Sequence, residues 1–453
     1  MTVHLPEWPK TLERAFQGQG KQLFLVGGAV RDLELKRSFE EWDFATNSTP
    51  EETEEILRSC QAKQIGLIGK RFGTVTANYQ GERVEITTFR GESYEDNSRK
   101  PTVTWGTSIK DDLSRRDFTI NAMAVNVTTD EFLDPFEGLT DLKNKIIRSV
   151  GDANDRFSED PLRMLRAIRS STQLGFDIEP STLSSIGTQK ERFAILSAER
   201  VAAELNKILL TPKPSHGIRL IVETGLVAYI LPELIPTIDL EFDPKEHKDI
   251  YEHILQVLDN TPAELGLRWC ALLHDIAKPL TRRKDGFEYS FHGHENLGAR
   301  ATRTVLSRLK YDNDFISLVT KLVRLHQRLP NNDGHWTDGA VRRFVRDAGE
   351  TLDDLFTFAA ADSTGANQTK LAKYQSMRDE MQERIRSLEA QAEIAKIKSP
   401  LDGYELMALY NRPAGVWLKE VKQYLLDLVL DGTLEPKDKE GAKKLAQKFL
   451  LKE

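Results

Sequence analysis

The chain has 453 residues, 63 Lys and Arg against 70 Asp and Glu, and a formal net charge of −7. At roughly 150 residues per domain this length gives about three domains, and the acidic balance excludes a protein that coats nucleic acid indiscriminately. Two cysteines, no apolar run near the ~20 residues of a membrane span and an N-terminus without a signal-peptide core exclude a disulfide framework and a membrane partner, so a cytoplasmic protein is expected.

Residues 7–20 predict a short helix, and Leu23–Val26 a strand entering a turn at Gly27-Gly28. A helix is expected from Ala29, then a second strand carrying Glu41-Trp42-Asp43. Glycines without a Cβ let backbone amides approach a phosphate closely. On a strand, residues 41 and 43 share one face while Trp42 points the other way and packs beneath the sheet. Two carboxylates beside a phosphate cradle suit paired Mg²⁺ ions handling a nucleoside triphosphate. NSTPEE (47–52) reads as a helix start, with Ser48 or Thr49 as cap and Pro50 in the first turn. Residues 69–90 predict two strands joined at Gln80-Gly81, the second placing Glu85 where a third carboxylate can take a hydroxyl proton.

Residues 91–108 are polar and aperiodic, a long loop of the kind that carries function. Arg115, Arg116 and Asp117 then open an apolar segment; adjacent arginines suit triphosphate oxygens and an aspartate suits a ribose hydroxyl. DPFEGLTDL (134–142) reads as the turn that closes this first domain.

From Lys143 the pattern is helical. In 156–176, Ser158 is the expected N-cap, with Glu159, Asp160 and Pro161 in the first turn. Asp160 and Arg163 are then neighbours on one face, able to read the edge of a base or simply to pair with each other. Arg163, Arg166 and Arg169 form a candidate patch for gripping RNA, as do the lysines from Lys437 to Lys452. A further helix covers 197–210, with a boundary near Pro212–Pro214. His253, the adjacent His274-Asp275 and the distal Asp362 have metal-ligand character on a helical bundle, with His294 and either His292 or His326 nearby. A long charged helix (371–396) and a small helical tail (399–434) complete the chain.

GGAVRD (27–32), the acidic pair at 41 and 43, TTFR (87–90), RRDFTINAMA (115–124), EDPLR (159–163) and AERVAAEL (198–205) occur in this order. Together they resemble the bacterial class II tRNA nucleotidyltransferases, the CCA-adding enzymes, and the closely similar bacterial poly(A) polymerases. The histidine cluster resembles the HD phosphohydrolase domain that some of them carry. The resemblance implies an α+β protein: a nucleotidyltransferase head (1–142), a helical neck (143–214), a helical HD body (215–370) and a tRNA-binding tail (371–453). It implies Gly27, Gly28, Arg31 and Asp32 as triphosphate-holding, Glu41 and Asp43 as Mg²⁺ ligands and Glu85 as the carboxylate activating the RNA 3′-hydroxyl. Arg115, Arg116 and Asp117 would contact sugar and phosphates. Glu159, Asp160 and Arg163, with Arg166 beside them, would choose CTP or ATP. Residues 91–108 would be the loop linked to the change from C to A addition. His253, His274, Asp275 and Asp362 would bind a divalent transition metal, with His294 a further candidate. The partners implied are the tRNA 3′ acceptor end, CTP and ATP. The family pattern has aspartate at both head metal positions, and this chain has Glu41 at the first. Three alternatives share these motifs: a poly(A) polymerase, an enzyme adding only CC or only A, and an HD phosphohydrolase whose head is crippled by Glu41.

Overall fold

A computed structural model describes residues 5–39, 41–67, 69–70, 73–93, 102–106, 108–238, 249–285, 288–329, 336–363, 368–391 and 398–451. They divide into two compact units, Met1–Pro232 and Glu233–Glu453.

The first unit is built on a mixed sheet. Helix α1 (Glu7–Gln17) precedes β1 (Leu23–Val26), α2 (Gly28–Glu34), β2 (Glu41–Thr46), α3 (Pro50–Ser59), β3 (Lys63–Gly66), β4 (Thr74–Tyr79) and β5 (Glu82–Thr88). Thr49, not Ser48, caps α3, in a reciprocal capping box with Glu52 and with Pro50 in the first turn. Strands β4 and β5 pair antiparallel through the turn at Gln80-Gly81, where both residues have positive φ. The ends of the expected 91–108 loop form an antiparallel ribbon, β6 (Arg90–Ser93) with β7 (Thr102–Trp105); residues 94–101 and 107 lie outside the described residues. After α4 (Ile109–Ser114) come β8 (Ala124–Asn126) and β9 (Phe132–Leu133), completing a seven-stranded sheet of order β3-β4-β5-β2-β1-β8-β9. The expected closing turn at 134–142 contains α5 (Gly138–Asn144), whose first amides at Gly138 and Leu139 donate to the Asp134 carboxylate.

The neck differs from its expected form. Ser158 caps nothing: it sits in the last turn of α6 (Ala153–Glu159), and a new helix, α7 (Leu162–Leu174), begins after Pro161. The proline forces Asp160 out of the helical region, to φ −135°, ψ 101°. Its carboxylate then accepts from the Leu162 amide at the start of α7. Asp160 and Arg163 therefore do not share a continuous helix face. Helices α8 (Pro180–Gln189), α9 (Ala198–Leu209), α10 (Pro214–Glu223) and α11 (Val227–Ile230) follow, and the short α12 (Ile235–Ile238) opens the second unit.

The second unit is helical. Its HD bundle comprises α13 (Ile250–Asn260), α14 (Leu265–Leu273), α15 (Lys278–Thr281), α16 (His294–Arg308), α17 (Asn313–Leu325), α18 (Asp338–Ala348) and α19 (Leu352–Ser363). The long charged helix is α20 (Gln368–Gln391); the tail holds α21 (Gly403–Tyr410), α22 (Val416–Leu430) and α23 (Lys439–Leu450) around a core of Leu406, Trp417, Val421 and Leu425.

Candidate active sites

In the head, register does the assembling. Strand β2 lies parallel to β5 with Glu41 opposite Arg83 and Asp43 opposite Glu85. Glu41, Asp43 and Glu85 thus share one face of adjacent strands, as the period of two requires. Trp42 turns to the other face, buried against Trp8 and Phe39, each at 4.8 Å between ring centroids. The carboxylates are poorly compensated. Burial, then the charge of Glu85, pushes the Asp43 pKa up to about 7, against the pull of Arg116. Burial, then Glu41, raises that of Glu85. Glu41 Oε1 lies 2.9 Å from Arg83 Nε as an ion pair, yet no hydrogen bond is formed there.

The Gly27 turn stands over this face. Gly27 has φ +71°, and a Cβ there would meet Arg116 Nη1 at 2.8 Å and Asp43 Oδ2 at 3.8 Å, so glycine is required on two counts. Arg31 donates twice to Asp32, at 2.9 and 2.7 Å, and once to Asn121 at 2.9 Å. Asp32 therefore orients the Arg31 guanidinium. Buried Asp112 plays the same part for Arg115 (2.6 Å) and Arg116 (3.1 Å). Asp117 is buried, accepting from the Phe118 amide and Asn121 Nδ2 and ion-pairing with Arg166 at 2.7 Å. Arg163 is nearly buried; it donates to Glu159 at 2.7 Å and to the Arg115 carbonyl at 2.8 Å, and Asp160 accepts from Arg200 at 3.1 Å. Arg83, Asp112, Asn121 and Arg200 were not among the expected site residues. For Asp112 the signal was present, since it stands three and four residues before the two arginines.

The HD bundle gathers six side chains. His253, His274 and Asp362 form one cluster of convergent ligand atoms, and Asp275, His294 and His326 a second, within 4.8 Å in each. Asp275 spans both, with Oδ2 3.1 Å from His274 Nε2 and Oδ1 3.3 Å from His294 Nε2. His274, His294 and His326 each turn Nδ1 to a backbone carbonyl (Ala271, Phe291, Val323) at 2.9, 2.7 and 2.6 Å. This aims Nε2 inward, the arrangement of a metal-ligating histidine. Two pairs of Nε2 atoms, His253–His274 and His294–His326, face one another at 3.4 Å. Burial, then the charge of His274, pushes the His326 pKa down to about 4, leaving it neutral. Burial opposes ionisation of Asp275, yet His274 and then Lys278 hold its carboxyl well below the usual range. Lys278 Nζ is 2.6 Å from Asp275 Oδ2 and was missed, although its i,i+3 spacing within HDIAKP is readable. Of the two histidines offered as alternatives, His326 joins the cluster, while His292 is exposed.

Both donor sets fit divalent cations: three crowded carboxylates in the head, and convergent imidazoles with carboxylates in the bundle.

Three family models match the chain: a poly A polymerase head domain over residues 23–148, a probable RNA and SrmB-binding site of polymerase A over 175–237, and an HD domain over 250–367. Among curated relatives, the CCA-adding enzyme of Geobacillus sp. (strain WCH70) is 31% identical, over 93% of this chain and 92% of its own length. That of Bacillus velezensis is 31% identical over 92% and 91%. The crystal structure of the Bacillus stearothermophilus CCA-adding enzyme in complex with CTP matches with a TM-score of 0.66 at 27% identity, covering 99% of both chains.

Proposed function

Because the chain belongs to the CCA-adding enzyme family, we propose that it adds C, C and A in turn to the 3′ end of tRNA from CTP and ATP, in the cytoplasm. The observation that carries this reading is the β2–β5 register, which sets Glu41, Asp43 and Glu85 together beside the Gly27 turn and two tethered arginines. We assign residues 1–142 as the transferase head, 143–214 as the neck, 215–370 as the HD body and 371–453 as the tail that holds tRNA.

Glu41 and Asp43 would hold Mg²⁺, which when bound would supply Lewis-acid stabilisation of the phosphoryl oxygens and offset the burial and the Glu85 charge that lift Asp43. Arg31 and Arg116, pre-oriented by Asp32, Asn121 and Asp112, bind the triphosphate. Glu85 takes the proton of the RNA 3′-hydroxyl; the oxygen forms a bond to the α-phosphorus, the bond to the β-phosphate oxygen breaks, and pyrophosphate leaves. Arg115 reaches the nucleotide through its main chain, because its guanidinium holds Asp112. Asp117 acts from below by fixing Arg166 and Asn121. Glu159, Asp160 and Arg163 choose the base; Arg200 must release Asp160, or Glu159 release Arg163, for either edge to be read. A base that leaves a buried donor unpaired is penalised, which excludes UTP and GTP.

The test is single-nucleotide extension of tRNA transcripts ending before CCA, after C and after CC, with Mg²⁺ and each NTP. Clean stopping after CCA supports the reading. Long A tails mean a poly(A) polymerase, extension of only one end a partial enzyme, and no extension anywhere overturns it.

A second reading concerns the HD cluster and is favoured by its inward-facing Nε2 atoms. His253, His274, Asp275, Asp362, His294 and His326 would hold divalent transition metal and hydrolyse a phosphate ester at an RNA end: water adds to phosphorus, the ester P–O bond breaks, and the alcohol leaves with the proton.

A further inference from the structure

The HD cluster does not stand alone. Lys278 and His294, both in contact with Asp275, also form part of the wall of a cavity of ≈ 1200 Å³ in the second unit. Pockets for a single drug-sized molecule occupy ~300–1,000 Å³, so this one exceeds what one mononucleotide requires. Its lining is rich in guanidinium groups. Lys278, Arg324, Arg328, Arg343 and Arg346 line it with the carboxylates of Glu295, Asp347 and Asp427, while Lys278 is held by Asp275 and Arg343 by Asp431. Asp347 is shared between Arg328 (2.7 Å) and Arg346 (3.1 Å), and buried Arg346 Nη1 has no hydrogen-bond partner. Arg324 is exposed and enters no ion pair among the described residues. The N-terminal turn of the fifteen-residue α16 lines the same wall, adding the positive end of a helix dipole. Exposed His292 also lines the cavity and carries an aromatic ring of the kind on which a base stacks.

We propose that this cavity is the substrate groove of the HD centre and takes a single RNA strand of several nucleotides. The terminal phosphate sits beside Lys278 and His294, and the next phosphates lie along Arg324, Arg328 and Arg346. The proposal rests on the phosphohydrolase reading only for what happens to the terminal phosphate; binding along the groove follows from the unengaged guanidinium of Arg324 and Nη1 of Arg346 and from its size. A small phosphate ester would use one end of the cavity and leave most of its guanidinium groups unengaged.

Fluorescence anisotropy on the full chain tests it, with a 5′-labelled triribonucleotide bearing a 3′-phosphate as probe and the 3′-phosphorylated mononucleotide as competitor. The trinucleotide should bind at least ten-fold more tightly than the mononucleotide. Its log K should fall with log salt at a slope of about −2, from ~0.7 per phosphate over three phosphates. The double variant Arg324→Glu, Arg328→Glu should weaken binding at least ten-fold and leave tRNA extension unchanged. Equal affinity for the two ligands overturns the groove, and so does an unchanged affinity in the double variant, which is also what binding in the head would give. Phosphate release, measured in parallel with added Mn²⁺ or Ni²⁺, separates the two ideas. Tight, charge-dependent binding without release removes the hydrolase reading and keeps the groove; release with no preference for length does the reverse.

Discussion

The two acidic centres solve the problem of buried carboxylates in opposite ways. In the head, Asp43 and Glu85 are crowded on neighbouring strands with Arg83 and Arg116 to the side, and both carboxyls are raised. In the HD bundle, Asp275 is fully buried yet held ionised by His274 and Lys278. The head is left under electrostatic strain that a proton or an added cation relieves. The bundle is largely self-neutralised before any ion arrives. One chain thus holds two acidic centres of opposite electrostatic character.

The largest expected effect is at Asp43. Asp43→Asn should lower tRNA extension by about 10³-fold or more, since Lewis-acid stabilisation is worth several kcal/mol. In the same variant the metal-free melting temperature should rise by about 2–4 °C, the shift expected from ~1 kcal/mol of relieved repulsion. A fall would mean that the head carboxylates are not strained, and the contrast would collapse. Next is Asp275→Asn, which should destabilise the second unit by on the order of 3 kcal/mol, because Lys278 loses its buried partner. Extension should stay within about two-fold of the parent, as expected for sites in separate units. Thermal melting and the extension assay read both. The smallest effect is at Glu41. Its extra methylene reaches Arg83, so Glu41→Asp should change the extension rate by less than about ten-fold, against ~100-fold for an ångström-scale misplacement. A larger gain in rate would identify Glu41 as the reason the head runs below its capacity.

Much of this was readable one element at a time. The two-residue period placed Glu41 and Asp43 on one face and Trp42 on the other, and the Thr49-Pro50 start of α3 was visible in its cap. Register was not. Nothing local to Glu85 says that it lies opposite Asp43, because parallel pairing of β2 with β5 is decided by the whole sheet. The neck helix departs from expectation at Pro161: the first-turn residues favour one continuous helix, and the proline's constraint on the residue before it breaks it. Likewise the HD ligands were recognisable as types, but the choice between His292 and His326 needed the bundle, since only packing decides which ring turns inward.

Arg163 carries a consequence for how the head selects its substrate. Its guanidinium bridges Glu159 and the Arg115 carbonyl, and the Arg115 side chain shares Asp112 with Arg116 beside the Gly27 turn. The groups proposed to read the base and to grip the phosphates are therefore links in one chain of contacts. Whatever coupling free energy passes through these contacts from base to triphosphate passes from triphosphate to base with equal size. A mutation that loosens the chain of contacts should therefore change the choice of base and the hold on the triphosphate together.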